Sequence, residues 1–218
     1  MQKKREIAVI GLGKFGLTFG ETLTNLGHKV IGLDLDPMRI QEAQDKLSLV
    51  YEVNAVNKDV LMQLELQDLD VVTVSVGNSM ETSILVSLNL IEMGFDNIIV
   101  KAISPTHAKI LQKLGIRRVI QPEAEVAALT ARRIHYPGML DFLPIGKGVL
   151  IQEVEVAQWA GKSLVDLNLR NSHGVLAAAI QPKGEANFRF VPDPQVPLNE
   201  GDKLLLIGNQ DDVLPLKP

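Results

Sequence analysis

The 218-residue chain contains no cysteine. That removes disulfides, thiolate nucleophiles and cysteine-based metal sites together, and it suits a reducing compartment. A basic stripe is missing as well. The 22 Lys and Arg are scattered among 26 Asp and Glu, and the net charge is −4. With a pI near 5.6, nothing prepares a surface for a phosphate backbone, and no nucleic-acid partner is expected. Long apolar runs are also absent. Residues 1–6 are polar and basic, and the four apolar residues that follow, Ile7 to Ile10, are too few for a signal-peptide core or a membrane span. The sequence therefore predicts a cytoplasmic protein that meets a membrane only through a partner.

What is present is a chain long enough for a large domain, or for a domain of ordinary size with a smaller companion. Apolar residues make up 46% and charged residues 22%, with a mean hydropathy of +0.13. This is more apolar than a well-covered monomer needs, and it points to a buried subunit interface.

Between Ile7 and about His135, six β-branched runs alternate with helical patterns: IAVI, VIGLD, LVYEV, VVTVSVG, NIIVKA and RRVIQ. Hydrophobicity that is continuous along a run marks a strand covered on both faces, as in a parallel sheet. Phe15, Phe19, Leu23 and Leu26 form one helical stripe closed by Gly27, and Ile84, Leu88 and Ile91 form another before Gly94. Asp36-Pro37 and Ser104-Pro105 read as helix starts. Strict alternation of this kind predicts an α/β fold, a Rossmann-like doubly wound parallel sheet of six strands.

After the last helix, near Glu123 to His135, the stretch YPGMLDFLPIGKG carries Pro137, Gly138, Pro144, Gly146 and Gly148 and reads as a linker. Its apolar residues Met139, Leu140, Phe142 and Leu143 either pack on their own domain or meet a second subunit. Short strand patterns follow, VLIQEVEV, VLAAAI, FRFV and KLLLIG, with turn signals between them. The expected division is a nucleotide-binding domain over 1–136, a linker over 137–148 and a small α+β C-terminal module over 149–218.

The chemistry is concentrated in IAVIGLGKFG. Glycines spaced G-x-G-x-x-G are weak evidence alone, but here a strand precedes them, a helix opens at them, and Asp34 ends the next strand 18 positions past Gly16. Gly11 permits the tight turn, Gly13 lets backbone N–H groups approach a phosphate, and Gly16 lets helix pack closely on strand. The helix N-terminus adds partial positive charge. Asp34 is placed for ribose hydroxyls and repels a 2′-phosphate, so NAD(H) and adenosine nucleotides are favoured over NADP. Other strand ends face the same crevice: Asn54 and Ala55 after strand three, Val76, Gly77 and Asn78 after strand four, and Lys101 at the end of strand five. For Lys101, a ligand contact and a stem merely laid on apolar surface both stay open.

Hydride chemistry needs a positioned acid or base and a substrate pocket. His28, His107, His135 and His173 share no motif with a carboxylate or a lysine, and the small module offers no catalytic array. On the residues alone, three readings remain: a nucleotide-gated regulator, an NAD(H)-dependent oxidoreductase or NADH-sensing redox regulator, and a bare nucleotide-binding module.

The ordered set IAVIGLGKFG, HKVIGLDLDP, VNA, VSVGN, IIVKA and the PE of QPEAE, followed by SLVDLNLRNSHGVLAAAI and GDKLLLIG, resembles the RCK regulatory subunits of Trk/Ktr-type bacterial potassium transporters. The length, with one nucleotide domain and one C-terminal module, is similar to the Ktr type. The resemblance implies a non-enzymatic cytoplasmic gating subunit at the inner face of the membrane. It would form homodimers assembled into an octameric ring beneath a membrane-embedded transporter subunit. ATP or ADP, or NAD(H), would sit at Gly11, Gly13, Lys14, Phe15, Gly16 and Asp34. Lys14 stands where the family often has Arg, and it offers a phosphate a point charge instead of a planar fork. Glu123 matches a glutamate that helps hold a divalent cation, Mg or Ca, in some members; an acid in the first turn of a helix, stabilised by the dipole, needs no metal and is the favoured reading. Leu169, Arg170, Ala178 and Pro192 fall in regions where relatives bind cyclic di-AMP. Nucleotides differing by one phosphate would then favour different dimer angles.

Overall fold

The computed structural model describes residues 3–64, 66, 69–77, 79–146 and 148–218. The chain divides into two compact units, Met1–Glu123 and Ala124–Pro218.

The first unit runs β1 (Glu6–Ile10), α1 (Lys14–Asn25), β2 (Lys29–Asp34), α2 (Pro37–Ala43), β3 (Leu49–Glu52), α3 (Lys58–Gln63), β4 (Val71–Val74), α4 (Met80–Glu92), β5 (Ile98–Lys101), α5 (Pro105–Lys113) and β6 (Arg118–Ile120). The six strands form one parallel sheet in the order β3-β2-β1-β4-β5-β6. This is the Rossmann-like doubly wound sheet expected from the sequence. Because successive strand side chains point to opposite faces, neighbours separate into two cores. Ala8, Ile10, Ile31, Leu33, Val72 and Val74 pack into one cluster, and Val9 and Val30 join Leu12, Leu17 and Leu47 in the other.

The helix starts agree with the capping residues. Asp36, Asn57, Ser79 and Ser104 each accept a backbone N–H in the first turn of α2, α3, α4 and α5. α1 differs, because its N-cap is Gly13 and no side chain caps it. Gly27 and Gly94 close their helices at φ +88° and +85°.

The buried face of α1 is not the expected aromatic stripe. Gly16, Leu17 and Gly20 are buried, Phe15, Phe19 and Leu23 are half-buried, and Leu26 is exposed. Two glycines four apart bring the helix axis down onto the sheet: a Cβ on Gly16 would overlap the carbonyl of Gly11, and one on Gly20 would stand 2.9 Å from Leu47 Cδ2. The phenylalanines flank that contact and stack on each other, ring centroids 5.8 Å apart. α4 is also rotated, by one position in the opposite sense, burying Ser83, Val86, Ser87 and Leu90 while Ile84, Leu88 and Ile91 lie at its margin.

The second unit takes in most of α6 (Pro122–His135), then β7 (Met139–Leu143), β8 (Val149–Glu155), α7 (Leu164–Leu167), α8 (Leu169–His173), β9 (Leu176–Gln181), β10 (Arg189–Phe190), β11 (Lys203–Asn209) and α9 (Gln210–Val213). Its five strands form an antiparallel sheet, β10-β9-β11-β8-β7. β7 corrects the linker expectation for 137–148. The breakers Pro137, Gly138, Pro144 and Gly146 bracket the run MLDFL instead of interrupting it, and the run pairs with β8. Met139 is buried in the module's core, and Phe142 lies half-buried against it. The Arg132 guanidinium sits 4.0 Å above the Phe142 ring. Leu140 and Leu143 stay partly exposed. No helix among the described residues is long and apolar enough to cross a membrane.

Candidate functional site

The carboxyl ends of β1, β2 and β4 and the turn after β3 enclose a crevice at the point where the strand order reverses, the place where doubly wound sheets receive ligands. Its walls include Gly11, Asp34, Asn54, Ala55, Val76 and Gly77, so the structure brings together residues from four separate strand ends. Gly13 and Lys14 lie on an adjoining cleft between α1 and α2, with Leu12, Glu21, Arg39 and Lys46. Gly16 lines neither space and acts beneath them, in the contact with Gly11. Asn78 lies outside the described residues.

The glycines have distinct physical duties. Gly11 holds φ +95°, and a Cβ there would come within 2.7 Å of the Ser75 main chain. Only glycine adopts that conformation in that space. A Cβ on Gly13 would meet only Arg39 Nη1, at 3.8 Å. Nothing in the fold of this chain demands glycine at 13, which leaves open room beside an uncapped helix start. A phosphate group fits such a cradle.

Asp34 is held in place from three sides. Its Oδ2 accepts the Leu12 N–H at 2.6 Å, and its Oδ1 accepts the Asp36 N–H at 2.9 Å. Arg39 Nη1 stands 3.4 Å from Oδ2, and the Asp34 side chain is only 8% exposed. Arg39 also reaches Asp36 through Nε, at 3.5 Å. Asn54 shapes the β3 turn, its Oδ1 accepting the Val56 N–H at 3.2 Å.

Lys101 forms a second polar centre on the far side of Gly77. Its side chain is 12% exposed and its Nζ pairs with the Glu123 carboxylate. The same Nζ lies 5.7 Å from the Phe15 ring centroid and 3.8 Å from where a Gly77 Cβ would stand. Lys101 is thus enclosed and ion-paired, and is no free surface lysine. A hydrogen bond from Lys101 holds the Glu123 carboxyl below the usual carboxylate range. Among the described residues, no group of three His, Asp or Glu side chains is placed to hold a metal ion, and Glu123 offers one carboxylate already engaged by a cation.

Sequence reasoning missed Leu35, Arg39, Val56, Ser79 and Thr82, all of which line the crevice. Arg39 had a readable signal, standing five residues after Asp34 at the start of a capped helix. In the second unit, Leu169, Arg170 and Pro192 line one surface cleft with Val165 and Leu176. Ala178 lies beside that cleft, its carbonyl accepting the Val191 N–H at 2.9 Å. Of the four histidines, His107 is fully buried, with Nδ1 accepting the Ile103 N–H at 3.3 Å.

Fold and crevice together define a Rossmann-type nucleotide-binding unit joined to a small antiparallel module. The chain belongs to the TrkA family: the TrkA-N domain matches residues 7–122 and the TrkA-C domain residues 151–217. Among its relatives, Ktr system potassium uptake protein A of Vibrio alginolyticus is 32% identical over 208 residues, 95% of this chain and 94% of the relative. Ktr system potassium uptake protein C of Bacillus subtilis (strain 168) is 32% identical over 211 residues, 96% of this chain and 95% of the relative. Among solved structures, the GsuK RCK domain superposes with a TM-score of 0.63 at 17% identity, over 99% of this chain and 49% of that one. The chain spans about half of that molecule, and at this identity the likeness is one of fold.

Proposed function

We propose that this protein is the nucleotide-sensing regulatory subunit of a potassium-uptake transporter, working in the cytoplasm against the inner face of the membrane. The observation that carries the nucleotide part is the joint placement of Asp34 and the glycine loop, with the Leu12 N–H bound to the Asp34 carboxylate beside a helix start that no side chain caps. Asp34 would take the ribose hydroxyls. The N–H groups at Gly13 and Lys14 would take phosphate, with the Lys14 ammonium behind them. Lys101 and Phe15 would border the far end. The ligand would be ATP or ADP, or NAD(H), and such a group supplies charge and shape here, with no bond in it broken.

The potassium part comes from kinship: relatives named as Ktr potassium uptake proteins match this chain over nearly their whole length. The charged groups lining the crevice, Asp34 and Arg39, are paired with each other and are not set up as an acid and base, which supports sensing over turnover. α6 buries no residue, and it leaves Val126 and Ile134 exposed. That favours a homodimer as the unit of a larger, octameric ring. Glu123 would join a divalent cation only with ligands from another copy, and the cleft at Leu169, Arg170 and Pro192 is the candidate seat for cyclic di-AMP.

The test is mass spectrometry of small molecules released from the purified protein, followed by thermal shifts with ATP, ADP and NADH. Preferential stabilisation by ATP or ADP supports the gating subunit. Exclusive tight binding of NADH would return the redox reading.

A further inference from the structure

Asp34 has more partners than a ribose-binding carboxylate can keep. An ionised carboxylate offers about four acceptor positions, two on each oxygen. Leu12 N–H takes one on Oδ2 at 2.6 Å, and Arg39 Nη1 takes the other at 3.4 Å. Asp36 N–H takes one on Oδ1 at 2.9 Å. A vicinal diol grips a carboxylate with one hydroxyl on each oxygen, so it finds room on Oδ1 and none on Oδ2.

One contact must yield, and the geometry identifies it. The two main-chain donors are fixed by the glycine loop and by the start of α2. Arg39 makes the longest of the three contacts, and its side chain is 40% exposed. When displaced it remains tethered, because Nε stays near Asp36 Oδ2 at 3.5 Å. Its guanidinium already stands beside Gly13, with Nη1 3.8 Å from the point where a Gly13 Cβ would be. Among the described residues lining the crevice it is the only cation.

We propose that Arg39 is a specificity-determining residue of the crevice: ribose displaces it from Asp34, and the freed guanidinium is taken up by the phosphate of the same ligand. A nucleoside breaks the ion pair and returns nothing. A nucleotide breaks it and replaces it with a charge-assisted bond. The site therefore rejects adenosine in favour of its phosphorylated forms through an exchange of partners. The inference rests on the reading of the crevice as an adenine-nucleotide site.

Titration calorimetry of the full chain with adenosine, AMP and ADP tests it, using the native protein, Arg39→Met and Arg39→Lys. For Arg39→Met, affinity for AMP and ADP falls about tenfold, the effect of one charge-assisted hydrogen bond, while affinity for adenosine holds or rises because no pair needs breaking. Arg39→Lys shows the same direction with a smaller change, since a lysine keeps charge without the fork. A parallel loss for adenosine and AMP marks a merely structural role and overturns the proposal, as does no change for either. Native protein that binds none of the three overturns the nucleotide reading itself, whereas native binding with an indifferent Arg39 variant overturns this inference alone.

Discussion

The main-chain N–H of Leu12 donates to Oδ2 of Asp34 across 2.6 Å, so the residue proposed to hold a ribose also holds the glycine loop. Leu12 is itself buried, and its amide has no water to turn to. Replacing Asp34 by Ala leaves the Leu12 and Asp36 amides without their acceptor. The expected result is a loss of about 1–3 kcal/mol in unfolding free energy, together with weakened nucleotide binding in titration calorimetry and an unchanged oligomeric state in light scattering. Undiminished affinity would remove Asp34 from the site.

The glycines at 13 and 16 separate fold from function. Gly16→Ala places a methyl into the Gly11 carbonyl, and loss of the first unit's cooperative melt is expected, a destabilisation of roughly 3 kcal/mol or more. Gly13→Ala meets only Arg39 Nη1 at 3.8 Å. It should cost about 1 kcal/mol through the poorer N-cap, yet lower nucleotide affinity by far more than that loss explains. Chemical denaturation beside calorimetry on both variants decides the matter.

His107 gives the first unit a pH dependence of defined sign. Burial pushes its imidazole below the ordinary value of 6.5, so the folded state keeps it neutral where the unfolded chain takes up a proton. Its contribution is therefore complete above pH 6.5 and is lost as the pH falls below it, with a slope of at most about 1.4 kcal/mol per unit. The carboxyls of Glu123 and Asp166 are held below their ordinary values of 4.5 and 3.8, which leaves pH 5 to 6.5 to the histidine. His107→Asn keeps an acceptor for the Ile103 N–H, and it should flatten denaturation midpoints across that window. An undiminished slope in the variant would assign the effect elsewhere.

Val191 is a β-branched residue at φ +54°, and it is 88% exposed. A left-handed conformation costs a residue with a Cβ about 1–2 kcal/mol, and so exposed a side chain recovers little of that by burial. Val191→Gly should raise the stability of the second unit by up to about 1 kcal/mol after the greater freedom of glycine in the unfolded chain is counted. Val191→Ala, which keeps the Cβ, should give no such gain. Paired thermal melts distinguish these outcomes.

The parallel sheet and the placement of Asp34 at the mouth of the crevice were legible because both depend on local pattern: unbroken apolar runs for β1, β2 and β4, and fixed spacing from Gly16 to Asp34. The contact face of α1 was not, because counting apolar side chains selects Phe15 and Phe19, whereas the closest approach belongs to Gly16 and Gly20, which carry none. β7 was hidden by breakers that flank it. The Lys101–Glu123 pair depends on β5 lying next to β6, with Lys101 opposite Ile120, a neighbourhood that no short window of sequence contains. Arg39 sits five residues from Asp34, but the dinucleotide fingerprint names the acid and is silent about its counter-ion.

α2, α3, α4 and α5 each carry their own cap, and α1 begins at Gly13 without one. If the crevice takes a phosphate, that anion finishes a piece of secondary structure the polypeptide leaves incomplete. Occupancy would then show itself first as rigidity: slowed amide exchange through the opening turn of α1. A sensor built this way registers its signal by how firmly one helix begins.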